Sequence, residues 1–475
     1  MAGILYFSYI FWWLWNLYPL DSFGLPGKTA GLVLISLIFV MAVAEMAFFW
    51  GLFGVLCQKI SAARISSRTA PFILASGFVL AEYLRSFFFG VFNLGAGTFL
   101  GAHWTLGNIA YQFSDFSYIL RTSSIWGIYG ISFLAAYLIS GIALSLIKKN
   151  YKNLLILLWV PALLIGINLL APRSPDIRQE GRIPIAIVQT QIPSKVFYTA
   201  DETIDSLTTK LELLEKSAEF IDSSENGRRG LIIFPEGSQL LTDLFKFLDE
   251  ESVEKYFNEL SEKEILVLDQ IRFPEENSLK SKIVLVNSKT GIAATYDKKL
   301  LVPGGEFRPY LMRALLYVFS PSFRRSGFID VMPGSDSNFI KFDDYKFVIA
   351  VCSELLSPSL IRNHNPDFIV GTNNFGLFNG GRLLERQMRS ISVFRAVENG
   401  KYLVNSSNFG KSYIINPDGI VEQMASGADY ELLTGTIVPN QGRTWYNYLG
   451  DWPILLLSLV IFGLAIRKNR NDKTG

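Results

Sequence analysis

Three apolar stretches of the sequence each end in a side chain that could do chemistry. LIIFPEG leads to Glu236, IAATYDK ends in Lys298, and FVIAVCSE leads to Cys352. Because sites in layered α/β folds form at strand ends, a carboxylate, an ammonium group and a thiol placed in this way can meet in one pocket. Each residue alone has an ordinary structural explanation, as a helix cap, a surface charge or a buried free thiol. Together they favour a catalytic site.

The three groups are chemically sufficient for acyl transfer through a cysteine. The thiolate is the nucleophilic form, and a nearby ammonium group lowers the pKa of a thiol. Glu236 can act as general base, while Lys298 and a backbone N–H such as that of Ser353 can stabilise an oxyanion. The chain has only two histidines, His103 and His364, and the second lies in the polar stretch IRNHNPD. A histidine base is therefore not expected.

The overall composition argues against several other function classes. The 475 residues are 50% hydrophobic and 18% charged, with a net charge of +2. No basic run is long enough to track a phosphate backbone, so a nucleic-acid partner is not expected. Two cysteines cannot build a disulfide framework, and two histidines are too few for a His-rich zinc site. We expect neither a metal nor a cofactor.

The hydrophobic residues are concentrated in segments that should cross a membrane. A helical span needs about 20 apolar residues. The predicted spans are 3–19, 30–56, 70–89, 123–147, 153–171 and 452–466.

Basic residues then predict the orientation of these spans. The loops 58–69 and 148–152 and the tail 467–473 are rich in Lys and Arg, which places them in the cytoplasm by the positive-inside rule. Six spans with both ends inside put the long polar region between the fifth and sixth spans on the outer side of the membrane.

That polar region has the pattern of an α/β domain. Short β-branched runs alternate with amphipathic stretches, of which 200–222 and 380–399 are the clearest helices. We therefore predict a helical membrane domain at 1–171, a catalytic domain at 172–445, and a final span with a basic tail at 446–475. The predicted strands are 183–189, 231–234, 265–268, 283–287, 347–352, 368–371, 402–406 and 412–416.

Several motifs in combination resemble one known family. PEG at 235–237, YDKKLLVPGGEFRP at 296–309 and CSE at 352–354 resemble the motifs of the apolipoprotein N-acyltransferases. This family is the membrane branch of the nitrilase, or carbon-nitrogen hydrolase, superfamily. AEYLRSFFFG and SIWGIYGISFL near the start and GDWPILLL near the end resemble its membrane segments. The resemblance covers essentially the whole chain.

The resemblance implies roles for individual residues. Glu236, Lys298 and Cys352 would form a Glu-Lys-Cys triad, with Glu306 as a second functional glutamate and Glu354 as the acid after the nucleophile. The chain also departs from the family pattern at three positions. The departures are Leu300 for the usual histidine, Ser353 for an aromatic residue, and Tyr198 where tryptophan is frequent.

The resemblance further implies a fold, a reaction and a location. The fold would be a multi-span helical domain joined to an extracytoplasmic α/β domain of the nitrilase type, an α-β-β-α sandwich. Cys352 would take an acyl chain from a membrane phospholipid as a thioester. It would then pass that chain to the N-terminal diacylglyceryl-cysteine of an apolipoprotein, in a ping-pong reaction. The site would lie on the periplasmic side of the bacterial inner membrane.

One apolar stretch outside the spans could contact lipid. PYLMRALLYVFSPSF, at 309–323, directly follows the Glu306 motif. We expect it to act as an interfacial lid, with an ordinary core helix as the alternative. The expected lipid-contacting residues are Leu311, Leu315, Tyr317 and Phe319.

Two other functions remain open at this point. The triad would serve equally well in a membrane-anchored amidase that uses water as the acceptor. A binding or scaffold protein with a degenerate domain is a second alternative, which the complete Glu-Lys-Cys set disfavours.

Overall fold

The structure is a computed structural model that combines a helical region with a two-sheet domain. It describes residues 1–20, 28–62, 66, 68–149, 157–170, 181–194, 198–224, 229–275, 278–319, 329–335, 337–342 and 345–474.

The helical region comes first along the chain and is completed by the last helix. Among the described residues, three helices are long and apolar enough to cross a membrane, at Lys28–Lys59, Ala70–Phe92 and Ser123–Ile147, and Trp452–Ala465 is a shorter apolar helical stretch. The helices of this region are α1 (Ala2–Ile10), α2 (Lys28–Ala62), α3 (Ala70–Phe92), α4 (Ser117–Leu120), α5 (Ser123–Ile147) and α6 (Trp159–Leu170).

The first predicted span, 3–19, is not one continuous helix. Helix α1 ends at Ile10 and a 3-10 helix follows at Trp12–Leu17. This second piece turns onto the two-sheet domain, where the Trp13 ring meets Phe378 edge to face at 5.0 Å. The Gln387 side chain donates a hydrogen bond to the Ile10 carbonyl. The segment is therefore shaped by contacts with the other domain, and the number of spans stays a prediction.

A buried ion pair lies inside the helical region. Glu82 and Arg85 on α3 pair at 2.8 Å, and both are fully buried. The Trp50 indole donates to the Glu82 carboxylate at 2.6 Å, and Arg85 donates to the Leu106 carbonyl at 2.8 Å. Since both charges face protein, the pair fastens α3 to α2 and to the segment that follows α3.

The second part contains two six-stranded sheets. Their strand orders are β12-β1-β2-β3-β4-β5 and β11-β10-β9-β8-β7-β6. The strands β1, β2 and β3 run parallel to one another in the first sheet, as β7, β8 and β9 do in the second, and the other strand pairs are antiparallel. The strands are β1 (Ile183–Gln189), β2 (Arg229–Ile233), β3 (Glu264–Glu275), β4 (Ser278–Asn287), β5 (Gly291–Asp297), β6 (Phe339–Phe342), β7 (Tyr345–Val351), β8 (Phe368–Asn374), β9 (Leu403–Asn408), β10 (Tyr413–Ile415), β11 (Val421–Met424) and β12 (Glu431–Ile437).

Helices cover both outer faces of the sheets, as the α-β-β-α expectation requires. One apolar cluster fills the space between the two sheets, and a second joins the outer face of the first sheet to helices α7, α8 and α9. A third cluster is continuous from the outer face of the second sheet through α12 into the helical region. The remaining helices are α7 (Ala200–Ser223), α8 (Leu240–Phe247), α9 (Glu250–Glu259), α10 (Tyr310–Phe319), α11 (Pro358–Arg362), α12 (Arg382–Asn399), α13 (Trp445–Leu449) and α14 (Trp452–Thr474).

Candidate active site

Glu236 stands on a tight turn directly after β2. The Gly237 N–H donates to the Gln270 side chain at 2.7 Å, and Ser238 donates its hydroxyl hydrogen to Asp269. Gly237 has a φ of +85°, and a Cβ there would collide with Asn374 of the second sheet. Only glycine fits such a close approach without strain. The turn therefore carries Glu236 to the junction between the two sheets.

Lys298 follows β5 and lies between two carboxylates. Its ammonium nitrogen is 3.0 Å from an oxygen of Glu236 and 3.0 Å from an oxygen of Glu306. The second Glu306 oxygen accepts the Val302 N–H at 2.8 Å. The Lys298 side chain is almost fully buried, with 1% exposed. The structure thus brings together three of the residues that the sequence singled out.

Cys352 begins the 3-10 helix Cys352–Leu356 at the end of β7. Its φ is +49°, a left-handed conformation that is unusual for a residue with a side chain. The Asn374 N–H, at the end of β8, donates to the Cys352 sulfur, and the charges of Glu236, Lys298 and Glu306 all act on that thiol. Glu236, Lys298 and Cys352 therefore lie close together between the two sheets.

Burial sets the protonation state of the pocket. Burial raises the pKa of the Cys352 thiol from 9.0 to about 12, with Glu236 and Glu306 adding to the rise and Lys298 opposing it. Burial also raises the pKa of the Glu236 carboxyl, against the attraction of Lys298. For Lys298, burial opposes the charge, but the two carboxylates outweigh burial and raise its pKa.

The resting pocket therefore holds a neutral thiol beside an ammonium ion. The Lys298 charge lowers the thiol pKa, as the sequence argument expected of a nearby ammonium group, but desolvation and the two carboxylates exceed its effect. A neutral thiol needs a base before it can act as a nucleophile, and Glu236 is the candidate for that role.

Glu354 holds two strand ends together next to Lys298 and Cys352. Its carboxylate accepts hydrogen bonds from the Tyr296 hydroxyl, from the Lys299 N–H at 2.8 Å and from the Val351 N–H at 2.9 Å. These donors belong to the ends of β5 and β7. Burial raises the pKa of Glu354. This acid ties the strand end that carries Lys298 to the one that carries Cys352.

Two departures from the family pattern contact each other, and a third lies elsewhere. The buried Ser353 side chain donates to the Leu300 carbonyl. Tyr198, by contrast, is 42% exposed at the start of α7 and donates to the Pro193 carbonyl. None of the hydrogen bonds found among the described residues connects Tyr198 to the triad.

The predicted lid contains helix α10, which has exposed apolar side chains. Leu311 is 52% exposed and Tyr317 is 62% exposed, while Leu315 is half-buried. The Phe319 side chain and residues 320–328 lie outside the described residues. The Tyr310 N–H donates to the Leu94 carbonyl at 2.7 Å, just beyond the end of α3. The helix therefore begins at one end of a candidate membrane span.

The sequence reasoning missed the residues that hold the catalytic turns. Asn374 ends β8, while Asp269 and Gln270 lie in the middle of β3 and contact the Glu236 turn. The polar stretch that closes β8, TNN, was a signal that could have indicated Asn374. Both histidines stay out of the triad's hydrogen bonds among the described residues, and His103 pairs instead with Ser357 at 2.7 Å.

Comparisons with known proteins agree with this geometry. The family model for carbon-nitrogen hydrolases matches residues 185–447. The chain belongs to this family. A second model, for the apolipoprotein N-acyltransferase N-terminal domain, matches residues 1–142. The two matches together confirm the resemblance to the membrane branch of the carbon-nitrogen hydrolases.

Similar proteins cover nearly the whole chain. The apolipoprotein N-acyltransferase of Coxiella burnetii is 26% identical over 452 residues, which is 90% of this chain and 83% of that protein. The apolipoprotein N-acyltransferase of Photobacterium profundum is 25% identical over 473 residues, 94% of this chain and 81% of that protein. A Saccharomyces cerevisiae member of branch 10 of the nitrilase superfamily has a solved structure that matches with a TM-score of 0.39 and 16% identity. It covers 57% of this chain and 94% of the yeast protein.

Proposed function

We propose that this protein is a phospholipid-dependent apolipoprotein N-acyltransferase. The observation that carries the proposal is the position of Lys298, held at 3.0 Å from both Glu236 and Glu306 in the pocket that contains the Cys352 thiol. That pocket belongs to a chain with three helices able to cross a membrane. Both substrates would be lipids, so a catalytic domain attached to spans lies where its substrates are.

In the first stage, Cys352 would take the acyl chain. The Glu236 carboxylate removes the thiol proton as the sulfur attacks the ester carbonyl of the phospholipid. The Lys298 ammonium stabilises the resulting oxyanion. The carbon–oxygen bond of the ester then breaks, and the alkoxide of the lysophospholipid recovers the proton from Glu236. A thioester remains on Cys352.

In the second stage, the α-amino group of an N-terminal diacylglyceryl-cysteine would attack the thioester. The amine loses a proton to Glu236, a new amide bond forms, and the carbon–sulfur bond breaks. The departing sulfur takes the proton back from Glu236. Because the thioester splits one difficult acyl exchange into two steps, the two substrates need not occupy the pocket together.

The placement of α10 supports a lipid donor. Its exposed Leu311 and Tyr317 have the character of an interfacial helix, and its first N–H is fastened to Leu94 at the end of a candidate span. We propose that this lid guides the phospholipid acyl chain toward Cys352, on the periplasmic side of the inner membrane. Cysteine labelling would test this side, and a cytoplasmic location of the catalytic domain would overturn the substrate assignment.

Intact mass spectrometry with phospholipid alone tests the reaction. The expected result is one added acyl mass on Cys352 that disappears when a diacylglyceryl-cysteine peptide is added. The peptide then gains the same mass as an amide. Release of free fatty acid without any acceptor would instead support the water-using amidase. Absence of any adduct and of any turnover would support a degenerate binding domain.

A further inference from the structure

The segment that carries the nucleophile depends on contacts from outside its own domain. We call residues 352–357 the nucleophile turn. Its first residue, Cys352, has the left-handed φ of +49° noted above. A backbone of this kind persists where the surrounding structure holds it in place. The contacts on the later part of the turn therefore bear on the position of the sulfur.

Three side chains hold the far end of the nucleophile turn. Arg395 on α12 donates from Nε to the Leu355 carbonyl at 3.0 Å. Thr105, in the segment between α3 and α5, donates its hydroxyl hydrogen to the Leu356 carbonyl at 2.5 Å. His103 from the same segment pairs with the Ser357 hydroxyl at 2.7 Å. Two of the three side chains therefore come from the helical region.

A directed chain of hydrogen bonds links these groups. Arg395 donates to the Tyr111 hydroxyl at 2.6 Å, and that hydroxyl lies 2.6 Å from the Thr105 hydroxyl. The Leu356 carbonyl can only accept, so the Thr105 hydrogen points to it. The Tyr111 hydrogen must then point to Thr105. The chain of hydrogen bonds runs in one direction from the Arg395 guanidinium to the nucleophile turn. The hydroxyls of Tyr111 and Thr105 each accept one hydrogen bond and donate another.

The chain of hydrogen bonds is also fixed at Arg395, where it begins. Arg395 pairs with Glu398, whose other oxygen accepts the Ile128 N–H of α5 at 3.1 Å. The side chains of Arg395, Glu398 and Thr105 are completely buried. A buried network of this type is costly to disturb, because each removed partner leaves a group without its hydrogen bond.

We propose that Thr105, Tyr111 and Arg395 are positioning residues that hold the nucleophile turn, so that the helical region forms part of the active site. Their task is to keep the Cys352 sulfur within reach of Glu236. This inference deepens the proposed function and rests on it, because the role of the turn assumes that Cys352 is the nucleophile. The test below measures the reactivity of the thiol alone and does not require acyl transfer. A displacement of about 1 Å in such an arrangement is enough to cost on the order of 100-fold in rate.

Alkylation of the Cys352 thiol by iodoacetamide tests the proposal without any acyl donor. The experiment uses the full-length protein in detergent micelles with Cys57→Ala, so that Cys352 alone reacts. With Glu236 in reach, the base takes the thiol proton, and the rate should be nearly independent of pH from neutral to about pH 9. Glu236→Gln should make the rate rise about tenfold per pH unit, because only free thiolate then reacts.

Thr105→Val is the decisive variant. It keeps the side-chain volume but removes the hydroxyl, and it should convert the flat pH profile into the rising one, whatever happens to the absolute rate. Thr105→Ser keeps the hydroxyl and should restore the flat profile. Tyr111→Phe should act like Thr105→Val, since it removes the donor to Thr105.

The matched control is Tyr413→Phe. Tyr413 is a buried tyrosine whose hydroxyl pairs with Ser392 of α12 at 2.9 Å, and no hydrogen bond found among the described residues joins it to the nucleophile turn. Its removal should lower the melting temperature as Tyr111→Phe does and leave the flat profile intact. The proposal is overturned if Thr105→Val keeps the flat profile, or if Thr105→Ser does not restore it. Loss of acyl transfer with these alkylation results unchanged would count against the proposed function alone.

Discussion

The turn that carries Glu236 and the turn that begins at Cys352 are built differently. The Glu236 turn is held by Gln270, Asp269 and Lys210, all from β3 and α7 of the two-sheet domain. The turn that begins at Cys352 is held at its start by Leu300 and by the ends of β5 and β7, and at its far end by α12 and a segment of the helical region. The Glu236 turn is therefore fixed by its own domain, whereas the far end of the Cys352 turn is held where two domains meet.

This difference has a consequence for the chemistry. Lys298 joins the two sides, because it contacts Glu236 directly and acts on the Cys352 thiol through its charge. On the proposed mechanism, the distance between the Glu236 carboxylate and the Cys352 sulfur is the quantity that domain contact would control. A neutral thiol reacts slowly without a base, so the proposal links the reactivity of Cys352 to correct docking of the helical region.

The largest expected effect comes from removing the nucleophile itself. Cys352→Ala should abolish acyl transfer and thioester formation, since no other atom can carry the acyl group, while the protein stays folded in the membrane. Measurement of acyl transfer to a diacylglyceryl-cysteine peptide checks this. The control is Cys57→Ala, which lies on α2 outside the pocket and should keep full activity. Transfer by Cys352→Ala would end the proposed mechanism.

Loss of the base should come next. Glu236→Gln cannot accept the thiol proton and should slow thioester formation by about 100- to 10,000-fold. In the unaltered protein the Glu236 pKa is raised by burial, so activity should be full above that raised pKa and lost as the pH falls through it. No gain should appear near pH 9, because the Cys352 thiol stays protonated up to about pH 12. A rise near pH 9 in the unaltered protein would contradict the neutral resting thiol.

Removing Lys298, the cation between the Glu236 turn and the Cys352 turn, should slow thioester formation somewhat less than removing Glu236 does. Lys298→Met takes away the oxyanion partner, which costs roughly 100- to 1000-fold in comparable sites. It also leaves Glu236 next to Glu306 with no charge between them, which raises the pKa of the base further. Single-turnover thioester formation measures the loss. Lys299→Met is the neighbouring control, and equal loss in both variants would mean that Lys298 has no special role.

The brace behind the pocket should matter less. Glu354→Gln keeps the shape of the side chain, but its amide nitrogen replaces one of the two oxygens, so either the Val351 or the Lys299 N–H group loses its acceptor. The ends of β5 and β7 should loosen, and activity should fall on the order of tenfold. Tyr296→Phe removes only one donor to Glu354 and should cost less. Unchanged activity in Glu354→Gln would show that the two strand ends need no brace.

The sequence was a good guide where the signal is local. Apolar runs that end in Glu236, Lys298 and Cys352 predicted three strand ends that the structure brings to one place. The NPDG stretch at 416–419 is typical of a turn, and Asn416 and Gly419 form one between β10 and β11. Both signals depend on neighbours in the chain, which is why pattern reasoning could find them.

The sequence was a poor guide where structure depends on distant contacts. Strand β12 has few fully buried residues, but it pairs along the whole of β1, from which it is separated by about half the chain. The same holds for the contact of Thr105 with Leu356, 251 residues apart, and of Tyr111 with Arg395, 284 residues apart. The periodicity of hydrophobic residues in a sequence gives no information about such distant pairs. The raised pKa of Cys352 was missed for a related reason, since burial is a property of the folded state.

The smallest effect should come from the lid, which supplies no group to the proposed chemistry. Leu311→Asp with Tyr317→Asp places two charges on exposed positions of α10 and should weaken reaction with bilayer phospholipid about tenfold, because charge is costly in the acyl region. Reaction with a short, water-soluble ester donor should be unchanged, since Glu236, Lys298 and Cys352 are intact. Leu311→Asn with Tyr317→Asn is the uncharged control and should lose less.

The core-helix alternative predicts instead that both donors fail together with a lower melting temperature, because buried charges without partners destabilise the fold. Measuring both donors and the thermal transition on one preparation separates a lipid contact from a packing contact.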